Sequence, residues 1–186
     1  MSSNPITRRD FSAGLAALVP GLGGGGTLRP AARAPVTRRG DGVTHTSDAI
    51  HQQVTFKASN ARVYAVLTDA VLFDKVVRRS DAMKNGMPPG APATSIAKTA
   101  GGAFTLFGGF ITGRQLELVP DQRVVQAWRS SGWKPGMYSI ARFELMDQTT
   151  GCTLVFDHTG FPAGEAQHLA DGWKVNYWQP MAKVLG

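Results

Sequence analysis

The stretch GGAFTLFGGFITGRQLELVPDQRVVQAWRSSGWKPGMYSIARFELMDQTTGCTLVFDH, residues 101–158, decides the fold. Turn residues punctuate it at short intervals. Gly101-Gly102 precedes Ala103 to Phe107, Gly108-Gly109 precedes Phe110 to Val119, and Pro120-Asp121 precedes Val124 to Arg129. A loop from Ser130 to Gly136 leads into Met137 to Asp147, and Gln148 to Gly151 turns the chain back into Cys152 to His158. With a further strand near Thr94 to Lys98, six strands follow one another, the pattern of an antiparallel meander. Alternation assigns an apolar face: Leu116 and Leu118 against Glu117, Val124 and Trp128 against Arg129, Phe143 and Leu145 against Glu144, Leu154 and Phe156 against Asp157.

On the amino-terminal side, Val54, Phe56 and Ala58 alternate with Thr55 and Lys57, which predicts a half-buried strand over Ile50 to Ala58. Ser59 can cap a short helix carrying Val63, Val66 and Leu67. Asp69 can cap a second one carrying Phe73, Val76 and Val77, before Met87-Pro88-Pro89-Gly90 breaks the period. On the carboxy-terminal side, Leu169, Trp173, Tyr177 and Met181 recur every four residues and Val184-Leu185 extend the stripe. A long amphipathic helix is expected there, with Pro180 kinking it or ending its regular part.

The resulting order is strand, two short helices, six strands, long helix. It is α+β, a helix-grip: a seven-stranded curved antiparallel sheet around a carboxy-terminal helix. Specific words support this architecture. They are Gly101-Gly-Ala-Phe-Thr-Leu-Phe-Gly-Gly109, Glu117-Leu-Val-Pro-Asp-Gln-Arg-Val-Val-Gln-Ala-Trp128, and Phe156-Asp-His-Thr-Gly-Phe-Pro162 followed by His168 and Gly172-Trp173. From about Ile50 to Leu185 the chain resembles the SRPBCC superfamily (START and birch-pollen-allergen-like), in the branch of activator of Hsp-90 ATPase homologues. That resemblance implies a hydrophobic cavity between sheet and helix and says little about chemistry, because the fold hosts many functions.

The chain has 186 residues, enough for one domain and an appendage. The appendage is residues 1–46, rich in Gly, Ala, Pro and Arg; residues 47–186 form the START-like domain. Thr7-Arg8-Arg9-Asp10-Phe11 ahead of a short apolar stretch resembles a twin-arginine export signal, which would place the mature protein in the periplasm or outside the cell. A disordered cytosolic tail is the alternative, as is an over-called start with translation from near Val43. No run of about 18 apolar residues is present, so no spanning helix is expected in the mature protein. The formal charge of +7 does not indicate nucleic acid: residues 1–46 carry +4 of it, and the remaining cations are scattered rather than aligned in a stripe.

Catalytic and metal motifs are missing. The four His make no HxxxH or HExxH pair, the paired glycines match no phosphate loop, and there is no GxSxG elbow. No metal or cofactor is therefore expected, and no residue is assigned a catalytic role. Lone Cys152 reads as a small strand residue. The expected ligand pocket is lined by Leu116, Gln126, Trp128, Phe143 and Phe156 on the sheet and by Trp173 and Tyr177 on the helix, with His158 or Gln126 as its polar tether. His158 shares parity with Leu154 and Phe156, so it should point inward, either to serve a ligand or to tie down the Phe161-Pro162 turn. The expected function is binding of a small hydrophobic molecule, as carrier or sensor. The alternatives are an enzyme acting on an apolar or aromatic substrate in the same cavity and a co-chaperone-like protein-binding module. Oligomeric state is not legible.

Overall fold

The computed structural model describes residues 48–186, so the stretch that resembles an export signal lies outside the described residues. Strand β1 (Ala49–Phe56) leads into helix α1 (Asn60–Thr68) and helix α2 (Ala70–Val77). Both expected caps form. The Ser59 hydroxyl accepts from the Arg62 N–H at 3.4 Å, and Asp69 Oδ1 accepts from the N–H groups of Val71 and Leu72 at 2.9 and 3.1 Å. Each helix buries the side expected of it, Val63, Val66 and Leu67 on α1 and Phe73, Val76 and Val77 on α2.

The meander follows as β2 (Ser95–Ile96), β3 (Ala103–Leu106), β4 (Ile111–Val119), β5 (Arg123–Ser130), β6 (Ser139–Gln148) and β7 (Gly151–Thr159). All pairings are antiparallel, and β1 closes on β7 to give the order β1-β7-β6-β5-β4-β3-β2. This is the seven-stranded helix-grip arrangement, with the carboxy-terminal helix packed across the inner face. Gly113 on β4 marks how closely strand and core approach: a Cβ there would stand 2.0 Å from the Ala127 carbonyl oxygen and 2.3 Å from the Phe104 ring. Among the described residues, no helix is long and apolar enough to cross a membrane.

Two local irregularities depart from the expected periods. On β4, Gln115 pairs with Gln126 and Glu117 with Val125, leaving Leu116 as the extra residue of a β-bulge. The bulge inverts the parity, so Ile111, Gly113 and Gln115 face inward before it and Leu118 after it. Leu116, expected on the inner face, is instead 47% exposed. On the outer surface beside the bulge, Arg123 grips Glu117 through two bonds of 2.7 and 3.0 Å and also reaches Glu144.

The second irregularity lies in the carboxy-terminal helix. It runs without a break as α3 (Ala166–Trp173), a π-turn (Lys174–Trp178) and α4 (Gln179–Leu185), with Pro180 as the second residue of α4. In a regular α-helix, residues five apart differ by about 140° in direction, whereas the wider π-turn returns them to the same side. Trp173 and Trp178 accordingly stack at 5.5 Å and 17°, and both are buried. The four-residue stripe accounts for Leu169, Trp173, Tyr177 and Met181, all buried, but it has no place for Trp178.

Candidate functional site

The inner face of the sheet presents successive rows of side chains to the helix. One row is Leu118, Val124, Phe143 and Phe156; the next is Gln115, Gln126, Ala141 and His158; a third is Gly113, Trp128 and Ser139. Trp173 descends on the centre of these rows. Its ring lies 4.4 Å from Phe156, 5.6 Å from Trp128, 5.8 Å from Phe143 and 4.1 Å from Tyr177, centroid to centroid. The middle of the sheet–helix space, where the sequence places the pocket, is therefore filled with aromatic rings.

His158 is fully buried and both its nitrogens are committed within the protein. The Trp173 indole N–H donates to Nδ1 at 3.0 Å, and Ser139 Oγ lies 2.6 Å from Nε2. An indole can only donate, so Nδ1 must be the acceptor and the single ring proton sits on Nε2. Nε2–H then donates to Ser139, whose hydroxyl donates to the Trp128 carbonyl at 3.0 Å. Burial pushes the His158 pKa down to about 4, which keeps the ring neutral. The direction of this chain is the reverse of a serine–histidine nucleophile pair, in which the hydroxyl donates to the imidazole and the other nitrogen carries the proton. The site joins strands β5, β6 and β7 to the helix; it holds neither the turn carbonyl expected as one alternative nor a free nitrogen for a ligand.

Gln126 is committed through its amide nitrogen. Its Nε2 donates to Gln115 Oε1 at 3.3 Å, and both amides are buried. Gln115 became an inner residue only because of the bulge, and its own Nε2 finds no partner among the described residues.

The cavity itself is displaced toward one end of the interface. It holds about 280 Å³ between the β3–β4 connection, the end of β5 with its following loop, and α3 with the π-turn. Phe107, Phe110 and Ile111 form one side, Trp128, Ser130 and Trp133 a second, and Leu169, Gly172, Trp173 and Tyr177 the helix side; Ala82, Glu165, His168 and Asn176 complete the edge. Of the eight residues expected to line a pocket, the structure brings Trp128, Trp173 and Tyr177 to it. Phe143 and Phe156 pack in the aromatic core 5.1 Å apart, His158 and Gln126 are tied internally, and Leu116 faces outward across the bulge.

The residues missed had uneven signals. Ser130 continues the inward parity of Val124, Gln126 and Trp128 and was within reach of the same alternation. Phe107 and Phe110 were hidden by Gly108-Gly109, which read as plain hairpin glycines. In the structure Phe107 itself takes a left-handed conformation, φ 51°, followed by Gly108 and Gly109 at 64° and 88°. This sequence of three turns Phe107 into the core, 5.3 Å from Tyr177, and leaves Phe110 56% exposed beside the cavity. Trp133 sits in a loop, where no periodicity exists to assign it.

A family model described as activator of Hsp90 ATPase homolog 1-like protein matches residues 57–186. The chain belongs to this family. Among relatives in the family, the human activator of 90 kDa heat shock protein ATPase homolog 1 is 28% identical over 96 residues, covering 52% of this chain and 28% of the human protein. An uncharacterized protein of Schizosaccharomyces pombe is 30% identical over 144 residues, covering 77% of this chain and 39% of its own length. The chain thus spans well under half of these relatives. The fold is shared with an HSP90 activator from Plasmodium falciparum, with a TM-score of 0.64 at 20% identity over 74% of this chain and 96% of the other. It is shared too with CalU16 from Micromonospora echinospora, with a TM-score of 0.56 at 17% identity over 75% and 77%.

Proposed function

We propose that this domain binds a small, mainly apolar molecule in the cavity between the carboxy-terminal helix, the β3–β4 connection and strands β4 and β5. The observation that carries this reading is the contrast within one interface. The centre is closed by Phe143, Phe156, Trp173 and Trp178, while an aromatic-walled space of about 280 Å³ is kept at the end beside Tyr177. A concave, mostly apolar space with a few polar groups is the usual form of a small-molecule site. Two backbone departures shape its walls, the left-handed Phe107 and the π-turn that carries Tyr177; features of this kind concentrate at functional sites. Thermal unfolding with and without an aromatic probe tests it. A ligand at about 100 times its Kd stabilises the folded state by about 2.7 kcal/mol, a rise in melting temperature of roughly 5–10 °C for a domain of this size. Unchanged melting across a set of neutral aromatic probes would remove the carrier reading.

A second reading, protein binding of the co-chaperone kind, is favoured by family membership and by relatives described as activators of the 90 kDa heat shock protein ATPase. It predicts that the domain co-purifies with an Hsp90-type chaperone of its host and alters its ATPase rate. Localisation separates the two readings. We infer export from Arg8-Arg9, and an exported domain would not meet a cytosolic chaperone. Cell fractionation of native protein and of a variant with both arginines changed to Lys tests that inference.

A further inference from the structure

We propose that the ligand is a neutral planar molecule bearing one hydrogen-bond acceptor, of the aryl ketone or aldehyde class, and that the Tyr177 hydroxyl is the group that recognises it. This inference rests on the cavity being a ligand site and concerns which chemistry it selects.

Tyr177 is 5% exposed and lines the cavity. Its oxygen accepts the Trp128 indole N–H at 3.4 Å, so its own hydrogen must point elsewhere, and among the described residues nothing accepts it. Burial raises the Tyr177 pKa, so the group stays a neutral O–H donor throughout the physiological range. A buried donor without an acceptor costs about 1–3 kcal/mol, and an acceptor atom on the ligand removes that cost. Asn176 adds a second donor. Its Oδ1 is taken by the Ala82 N–H at 2.8 Å, which leaves the amide NH₂ as the part it can offer to the cavity edge.

The charges around the cavity exclude the other apolar classes. Among the described residues that line it there is no Lys or Arg, and its ionisable side chains, Glu165 and His168, both stand at the edge. A carboxylate such as a fatty acid would find no permanent cation to pair with inside the cavity and an acidic side chain at its edge, an unfavourable burial of charge. A pure hydrocarbon would leave the Tyr177 hydrogen unsatisfied. The walls are aromatic planes, Phe107, Trp128, Trp133 and Trp173, which favour a flat ring system over a flexible chain.

The test compares naphthalene, 2-acetylnaphthalene and 2-naphthoate by titration against the native protein and against Tyr177→Phe. The native protein should bind the ketone about tenfold tighter than naphthalene, with naphthoate weakest. In Tyr177→Phe the ketone-to-naphthalene ratio should fall toward one, whatever the change in naphthalene affinity itself. Infrared spectra of the ketone bound to the native protein give a readout that does not depend on the variant folding. The carbonyl stretch should lie below its position in hexane. Naphthalene and ketone binding equally to the native protein, or an unshifted carbonyl stretch, would overturn the assignment of Tyr177 while leaving the cavity as an apolar site. Binding of none of the three would overturn the ligand reading as a whole, and tightest binding of naphthoate would overturn the neutral class.

Discussion

Acidification should destabilise this protein through His158. The ring is fully buried, accepts from Trp173, donates to Ser139, and has its pKa lowered by burial from 6.5 to about 4. The folded state therefore disfavours the second proton relative to the unfolded chain. Its contribution is complete above pH 6.5 and is lost progressively as the pH falls toward 4. Each tenfold preference is worth about 1.4 kcal/mol, so the whole interval amounts to about 3 kcal/mol, a sizeable part of the 5–15 kcal/mol that holds a domain together. Protonation also has a specific structural consequence, because Nδ1–H would face the Trp173 indole N–H and two donors would oppose each other at the centre of the helix–sheet contact. Urea unfolding at pH 7, 5.5 and 4 measures the loss. His158→Gln provides the control, since an amide does not titrate and other groups contribute equally to both proteins. The native protein should lose about 3 kcal/mol more than the variant between pH 7 and 4; parallel losses would show that His158 is solvated or already charged, and the assigned proton position would be wrong.

Other expectations follow from the same packing. Trp173→Ala should lower stability by about 3–5 kcal/mol in denaturant unfolding, because it removes the ring at the centre of the aromatic cluster and strands His158 Nδ1. Leu116→Lys should change stability by less than about 0.5 kcal/mol, since the bulge turns this side chain outward; a core-like loss would contradict the register. Gly113→Ala should be strongly destabilising, because the added Cβ meets the Ala127 carbonyl and the Phe104 ring, and circular dichroism melting would show it.

The strands were legible because turn residues separate short alternating runs, and the caps at Ser59 and Asp69 were legible because a side-chain oxygen before an apolar period has a local mechanism. The bulge at Leu116 was not. Leu-Glu-Leu alternates correctly on its own, and only pairing with β5 reveals that one residue is extra. Trp178 escaped for a related reason: a stripe drawn at α-helical spacing cannot register a π-turn. His158 and Gln126 were rightly placed inward, but a sequence names no partners. Ser139 and Trp173 take both ring nitrogens of His158, and Gln115 takes the amide NH₂ of Gln126. The cavity consequently lies where the chain departs from regular periods, beside Phe107 and Tyr177.

The central claim, that a small molecule occupies this end of the helix–sheet interface, is tested most directly by the indole N–H resonances of the protein's four tryptophans during titration with 2-acetylnaphthalene. Trp128, Trp133 and Trp173 line the cavity, whereas Trp178 lies outside it and donates to Gln52 at 2.6 Å. The account predicts saturable shifts at Trp128, Trp133 and Trp173 and the smallest change at Trp178. A spectrum that does not move, or one in which Trp178 moves most, would contradict it.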